Sequence, residues 1–359
     1  MIKKQIVKWP HPLALPLLLL VSSGCASKPI STETQTVERS YYLMGTSLEL
    51  SAVSKNREQT LAAFDDAFQV VKDAEQRLST WIPNSELSQV NAAAVGKEVK
   101  LSPLLMRDLT TVETFARKTD FAFNPYIGQL VQIWGLRTGG RIPTPLQLDQ
   151  AVKASAPGAF SLTHSGVIKN RAGAQYEEGG FGKGIALDDA LDALKVTGLK
   201  SAVLNFGGQI AVLGNASVPV VISNPSLRTE TLVSFSESKS SIATSGNSEH
   251  GLTVKAKGKL TRIGHLIDSR TGQPSPFIGS ITIVAPTATE AEVFTKIFVL
   301  GLEGGLRFAN DHLIKALWIY PSLETGEWLV RTSQSWKTPL TLAPHCHNYP
   351  DHPSKKEKE

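Results

Sequence analysis

Residues 176–184 read YEEGGFGKG, four glycines and a lysine inside six positions, directly ahead of an apolar helical run. Glycines let a backbone approach a ligand closely, and the start of a helix favours an anion, so this stretch could cradle a phosphate. It carries neither familiar phosphate-binding fingerprint. Lys183 is followed by Gly184 rather than Ser or Thr, unlike a P-loop, and Glu177 and Glu178 stand where a dinucleotide-binding fold needs a hydrophobic strand. A tight turn before a helix would use the same residues. Lys183 adds one argument for a ligand: a cation opposes the positive end of a helix dipole, and a bound anion relieves that mismatch.

Three other groups have residue types suited to chemistry. His265 and Asp268 are spaced as His-x-x-Asp; an imidazole can take a hydroxyl proton near neutral pH, with the carboxylate orienting it. Taken alone, such a pair serves structure more often than catalysis. Trp81 could stack on a flat ring or simply fill a core. His345, Cys346, His347 and His352 fall within eight residues, a set that could bind a borderline metal or be incidental in a disordered tail.

The elements that must position these residues alternate between helix and strand patterns. Residues 41–53 alternate like one strand, 56–78 carry a helical apolar stripe, and 78–94 read as a connection rich in Pro, Asn and Ser. A helix follows Ser102 as N-cap and Pro103 at its first position, and a shorter one spans Leu146 to Ala154. The second half holds hairpins, a helix from Ile185, a buried strand SITIVAP, two helices in 288–311 and two closing strands. Long helices mixed with hairpins predict an α+β fold rather than repeated βαβ units. From Pro344 onward the chain is polar and is expected to be disordered.

Bulk properties narrow the class. The chain has 359 residues, 41% of them hydrophobic and 19% charged, which supports a substantial core and excludes a disordered chain. A net charge of +5 without a basic run outside the tail argues against nucleic acid as a partner. The N-terminus combines a Lys-rich start, an apolar run from Leu13 to Val21 that is too short to span a bilayer, and small residues before Cys25. This resembles a bacterial lipoprotein signal, which implies lipidation of Cys25. The expected layout is a signal at 1–24, a polar tether at 25–39, one domain at 40–340 and a His/Lys-rich tail at 341–359. With Cys25 acylated, only Cys346 keeps a thiol, and no intrachain disulfide can form.

Eight blocks occur in order: MGTSLEL, LSTWIPNSELSQVN, FNPYIGQLVQIWG, YEEGGFGKGIALD, LNFGGQIAVLG, SIATSGN, HLIDSRTGQP and ITIVAPTATEAEVFTKIFVLG. Together, across roughly residues 40–335, they resemble the ApbE family of FAD:protein FMN transferases. The resemblance implies a two-lobed α+β fold with mixed and antiparallel sheets flanked by helices, and FAD in the cleft between the lobes. It implies a reaction in which the FAD pyrophosphate is cleaved, FMN is attached to a Thr or Ser of an exported flavoprotein, and AMP leaves. The implied flavin-binding positions are Met44, Trp81, Ala122, Phe123, Asn124, Glu177, Lys183, Thr244, His265 and Ile267. His265 becomes the candidate base, with Asp268 beside it, and Thr244, Ser245 and Gly246 supply donors near the same cleft. The implied address is the periplasm, on a lipid-anchored protein of the outer rather than the inner membrane.

Several positions depart from the family pattern. Asn124 stands for an Asp, Glu177 for an Asp, and Ser269 for a Pro. The block that donates oxygens to Mg²⁺ in the family is here Glu290-Ala291-Glu292-Val293-Phe294-Thr295-Lys296. Glu292 replaces an Asp and Lys296 a Thr at the ligand positions, leaving the Gly180 carbonyl and Glu292 as implied metal ligands, with Thr295, one residue earlier, as a substitute for the lost hydroxyl. A charged ammonium has no lone pair for a metal. Lys296 could instead occupy the cation's place, paired with Glu292 and the FAD phosphates. Two other functions remain open on these residues: a flavin-binding lipoprotein without transfer, and an FAD pyrophosphate hydrolase that gives FMN and AMP.

Overall fold

The computed structural model describes residues 34–247, 252–256 and 259–349; Cys25 and His352 lie outside them. A nine-stranded sheet runs through the molecule. Its strands, in both spatial and chain order, are Gln35–Leu43, Thr46–Ser54, Ala202–Phe206, Gln209–Leu213, Ser241–Gly246, Ser280–Ala285, Lys315–Pro321, Trp328–Thr332 and Cys346–Asn348. Every neighbouring pair is antiparallel except the last, which is parallel. Between strands the chain makes long excursions, and these carry the site.

The longest excursion holds six helices: α1 (Arg57–Leu78), α2 (Glu86–Ala92), α3 (Pro103–Lys118), α4 (Gly128–Ile133), α5 (Pro145–Ser155) and α6 (Gly182–Val196). It also holds a small antiparallel sheet of Glu98–Lys100, Gly166–Lys169 and Phe160–Leu162. A later excursion adds α7 (Ala288–Phe294), a 3₁₀ segment (Thr295–Leu300) and α8 (Gly301–Asp311). The apolar stripes of α1 and α6 cover the first four strands through Phe64, Val71, Leu187 and Leu194. α7 and α8 cover the middle strands through Phe294, Phe298 and Leu306. Opposite, Val218–Asn224 and Leu227–Glu237 pack against the far strands around Trp328 and Trp336. The α+β class with antiparallel sheets flanked by helices agrees with the sequence. No helix among the described residues is long and apolar enough to cross a membrane.

Three local expectations are corrected. Residues 41–53 are two arms of a hairpin that begins at Gln35, turned at Met44 (φ 47°) and Gly45 (φ 75°). Both turn residues are left-handed, as a two-residue hairpin turn requires, but Met-Gly lacks the Asn-Gly signature and both arms alternate alike. The connection at 78–94 contains α2, whose N-cap Ser85 accepts from Ser88 N; a capping serine and a loop serine look the same in sequence. The tail expected to be disordered from Pro344 is ordered through Tyr349. Cys346–Asn348 extends the main sheet, Thr341–Leu342 pairs with Leu227–Glu237, and Cys346 is buried. Alternation then turns Cys346 inward and its neighbours outward. His345 Nε2 lies 2.9 Å from Glu230 and His347 Nε2 3.5 Å from Glu327, so these residues do not converge on a metal.

Candidate functional site

Two adjoining cavities open where α6, α7 and the 267–274 turn meet. One, of about 290 Å³, is a mainly apolar slot whose walls include Trp81, Ala122, Phe123, Ile127, Leu266 and Ile267. The other, of about 210 Å³, is polar and is lined by Lys183, Gln209, Thr244, Ser245 and Glu292 among others. Gly179, His265 and Lys296 belong to both walls. The ends of this combined space therefore differ in chemistry, with a histidine and a lysine at the join.

The glycine stretch makes that join possible. Glu178–Gly180 form a 3₁₀ turn and α6 starts at once at Gly182 without a side-chain cap. A Cβ on Gly184 would lie 2.6 Å from Thr289 Cα and 2.7 Å from the Ala288 carbonyl, so only glycine lets α6 cross α7 this closely. Asp188 locks the crossing by accepting from Ala288 N at 2.7 Å and Thr289 N at 2.9 Å. A Cβ on Gly180 would press on Lys296 Cε and Phe123, each at 3.2 Å. Lys183 lies in the first turn of α6 and faces the polar cavity, as the phosphate argument required.

A compact hydrogen-bonded cluster forms one wall of the polar cavity. Lys296 Nζ donates to Thr295 Oγ1 at 3.1 Å and Ser245 Oγ at 3.3 Å. Ser245 donates to Thr295 at 2.8 Å, and Thr295 donates to the Glu292 carbonyl at 2.6 Å. Glu292 is buried and its Oε2 accepts the Gly184 N–H at 2.7 Å. Burial pushes its carboxyl up, against the pull of Lys183 and Lys296. Burial likewise pulls the Lys296 ammonium down to about 8, with Glu292 opposing and Lys183 reinforcing the shift. Thr244 spends its hydroxyl on Thr282 at 2.9 Å while lining the same cavity.

At the slot's mouth Trp81 is 64% exposed and lies under the Arg137 guanidinium, 4.3 Å from the ring centroid. Arg137 holds Glu177 through both oxygens, at 2.6 and 2.8 Å, and donates to Thr80 at 2.6 Å. Thr80 in turn donates to Glu178. Burial, then the neighbouring Glu178 charge, raises the Glu177 carboxyl to about 7 despite Arg137. Arg137 is the residue that sequence reasoning missed: nothing in LRTGG separates a site arginine from a loop arginine.

Asn124 lines the slot, yet its polar atoms are committed to the protein. Nδ2 donates to the Ser155 carbonyl at 2.8 Å and to Ser269 Oγ at 3.0 Å, and Oδ1 accepts from Tyr126 N at 2.9 Å. Two departures from the family pattern, Asn124 and Ser269, thus touch each other. Asp268 has partners in its own turn. Its carboxylate accepts from Arg270 Nε at 2.8 Å and Arg270 Nη2 at 2.7 Å, while its carbonyl accepts from Gly272 N at 2.7 Å. Asp268 therefore shapes the turn that carries Ile267 into the slot, helped by Trp134 Nε1 donating to the Gly272 carbonyl at 2.7 Å. Met44 is also displaced from expectation: it lines neither cavity, packs behind Gly182, and its N–H goes to Glu75 at 2.7 Å. No group of three or more His, Cys, Asp or Glu converges as a metal centre among the described residues.

The family's sequence model matches residues 44–318, more than half of the chain. The chain belongs to the ApbE family. An FAD:protein FMN transferase of Rhodobacter capsulatus is 28% identical over 316 residues, covering 85% of this chain; the chain spans 59% of that relative's length. One from Klebsiella pneumoniae (strain 342) is 28% identical over 338 residues, covering 88% of this chain and 92% of the relative. The flavin transferase ApbE from Vibrio cholerae superposes with a TM-score of 0.74 at 20% identity, covering 85% of this chain and 99% of that one. The ApbE protein from Thermotoga maritima gives the same TM-score and identity over 84% of this chain and 98% of its own. These two likenesses establish the ApbE fold.

Proposed function

We propose that this chain is an FAD:protein FMN transferase. The observation that carries the proposal is the joined space: a flat apolar slot opens, at His265 and Lys296, into a cavity faced by two lysines and the hydroxyl residues Thr244 and Ser245. One elongated ligand with an aromatic ring at one end and linked phosphates in its middle matches both halves. Sequence relatives of this chain are named for this activity.

In this proposal the isoalloxazine lies between Trp81 and the Phe123–Ile267 walls, where burial of its faces supplies binding. The phosphates lie toward Lys183, Lys296 and the first turn of α6, whose cations and N–H groups oppose their charge. A Ser or Thr hydroxyl of the acceptor attacks the phosphorus on the FMN side. The P–O bond to AMP breaks, the bond to the acceptor oxygen forms, and the hydroxyl proton passes to His265. The donor set at Glu292, Thr295 and Lys296 does not fit Mg²⁺, because the Lys296 ammonium has no lone pair and sets a fixed positive charge beside Thr295 and Ser245, so no step is assigned to a metal. Cys25 is proposed as a lipid-modified anchor on the periplasmic side of the outer membrane; mass spectrometry of the Cys25→Ala protein against wild type checks it.

The activity test is direct. Purified protein, FAD and an exported flavoprotein acceptor are incubated, and the acceptor is inspected for covalent flavin fluorescence and the solution for AMP. Fluorescent acceptor with AMP in equal amount supports transfer. Free FMN with AMP would reassign the chain as a hydrolase, and FAD recovered intact would leave only binding.

A further inference from the structure

Four polar side chains meet where the two cavities join, and their hydrogen bonds leave little choice of cation. The two hydroxyls of Ser245 and Thr295 lie 2.8 Å apart, and both accept from Lys296 Nζ. Thr295 gives its own hydrogen to the Glu292 carbonyl, so its lone pairs face Ser245 and the ammonium. Glu292 Oε2 is taken by the Gly184 N–H. The lysine stem lies against Gly180, whose missing side chain makes room for it. The Ser245 and Thr295 oxygens are turned toward the ammonium, and a second cation beside Nζ would be repelled. Positive charge is nevertheless abundant here, because Lys183 faces the same cavity.

We propose that Lys296 is the resident cation of this site, binding the dinucleotide phosphates together with Lys183 and making that binding independent of Mg²⁺. The inference rests on the transferase reading and narrows it. Position supports it, since Lys296 belongs to both cavity walls and so stands where a ring would give way to phosphates. The way the ammonium is held supports it too. Its hydrogen bonds go to neutral hydroxyls rather than to a carboxylate, which fixes Nζ in place while keeping its third donor and its charge for an anion.

The test needs no acceptor protein. FAD is titrated into the purified full chain, in EDTA and again in excess Mg²⁺, with flavin fluorescence as the readout. The expected result is a Kd that agrees between the two conditions within about twofold, and Lys296→Met, similar in shape and uncharged, binding about tenfold or more weakly in EDTA. Wild-type binding that appears only with Mg²⁺ overturns the inference and leaves the transferase reading in place, as does a folded Lys296→Met protein that binds like wild type. Binding under neither condition overturns both. Circular dichroism confirms that the variant is folded, and the wild-type comparison stands without any variant.

Discussion

The slot and the polar cavity share three wall residues but respond differently to departure from the family pattern. On the slot side Asn124 and Ser269 replace an Asp and a Pro, and the two new residues hydrogen-bond each other at 3.0 Å. The change is absorbed as a structural joint between the α3–α4 loop and the 268–272 turn, and the slot stays apolar. On the polar side, where the resemblance leads one to expect an Asp and a Thr, Glu292 accepts the Gly184 N–H and Lys296 lies against Gly180 and donates to Thr295. The first pair alters what holds the wall. The second alters what the wall offers a ligand.

That contrast can be broken most severely at the join. His265→Ala should lower FMN transfer about 10²–10⁴-fold while FAD affinity stays near wild type, if His265 takes the acceptor proton; rate and affinity measured separately decide it. Equal losses of both would make His265 a packing residue. Next in size is Gly184→Ala, which must separate α6 from α7 because the new methyl meets backbone at 2.6 Å. A cost of about 1–3 kcal/mol in urea denaturation is expected, with weaker FAD binding. An unchanged midpoint would show that the crossing is looser than described.

Asn124→Asp probes the slot's joint. A carboxylate cannot donate to the Ser155 carbonyl or to Ser269, so the loss is expected to be about 1–3 kcal/mol at neutral pH, with partial recovery in acid as the Asp protonates. A variant as stable as wild type at pH 7 would remove the joint from the account. The gentlest test is Glu177→Gln. The Glu177 carboxyl rises from an ordinary 4.5 to about 7 in the folded chain, so between these values the folded state holds a proton that the unfolded state has released. Its contribution therefore favours folding least above pH 7, and stability falls as pH rises from 4.5 to 7, by on the order of 1–3 kcal/mol. The melting temperature of the glutamine variant, relative to wild type, should climb across that window; a flat difference would mean that Glu177 titrates normally.

Much of this site could be read from the amino-acid order, for reasons that differ by residue. The glycines at 180 and 184 and Lys183 were legible because close backbone approach and a misplaced cation have few explanations. Helices α1, α3 and α5 were legible from their sequence patterns, and α3 also from its cap at Ser102. Arg137 was not, since its value arises only when Trp81, Glu177 and Thr80 are brought to it from distant segments. The part Asp268 plays in its own turn, holding Arg270 and Gly272, was not legible either, since a carboxylate three positions from a histidine reads first as its partner. Cys346 was hidden for the opposite reason: a polar tail offers no periodicity, and its strand forms only because the Trp328–Thr332 edge was open.

A crystal structure of this chain grown with FAD in the presence of Mg²⁺ tests the central claim most directly. The account predicts the flavin ring in the slot between Trp81 and Ile267, the phosphates within hydrogen-bond reach of Lys296 Nζ and Lys183, and no metal ion beside Glu292. A metal ion bridging Glu292 to the phosphates, or phosphates lying away from Lys296, would contradict it.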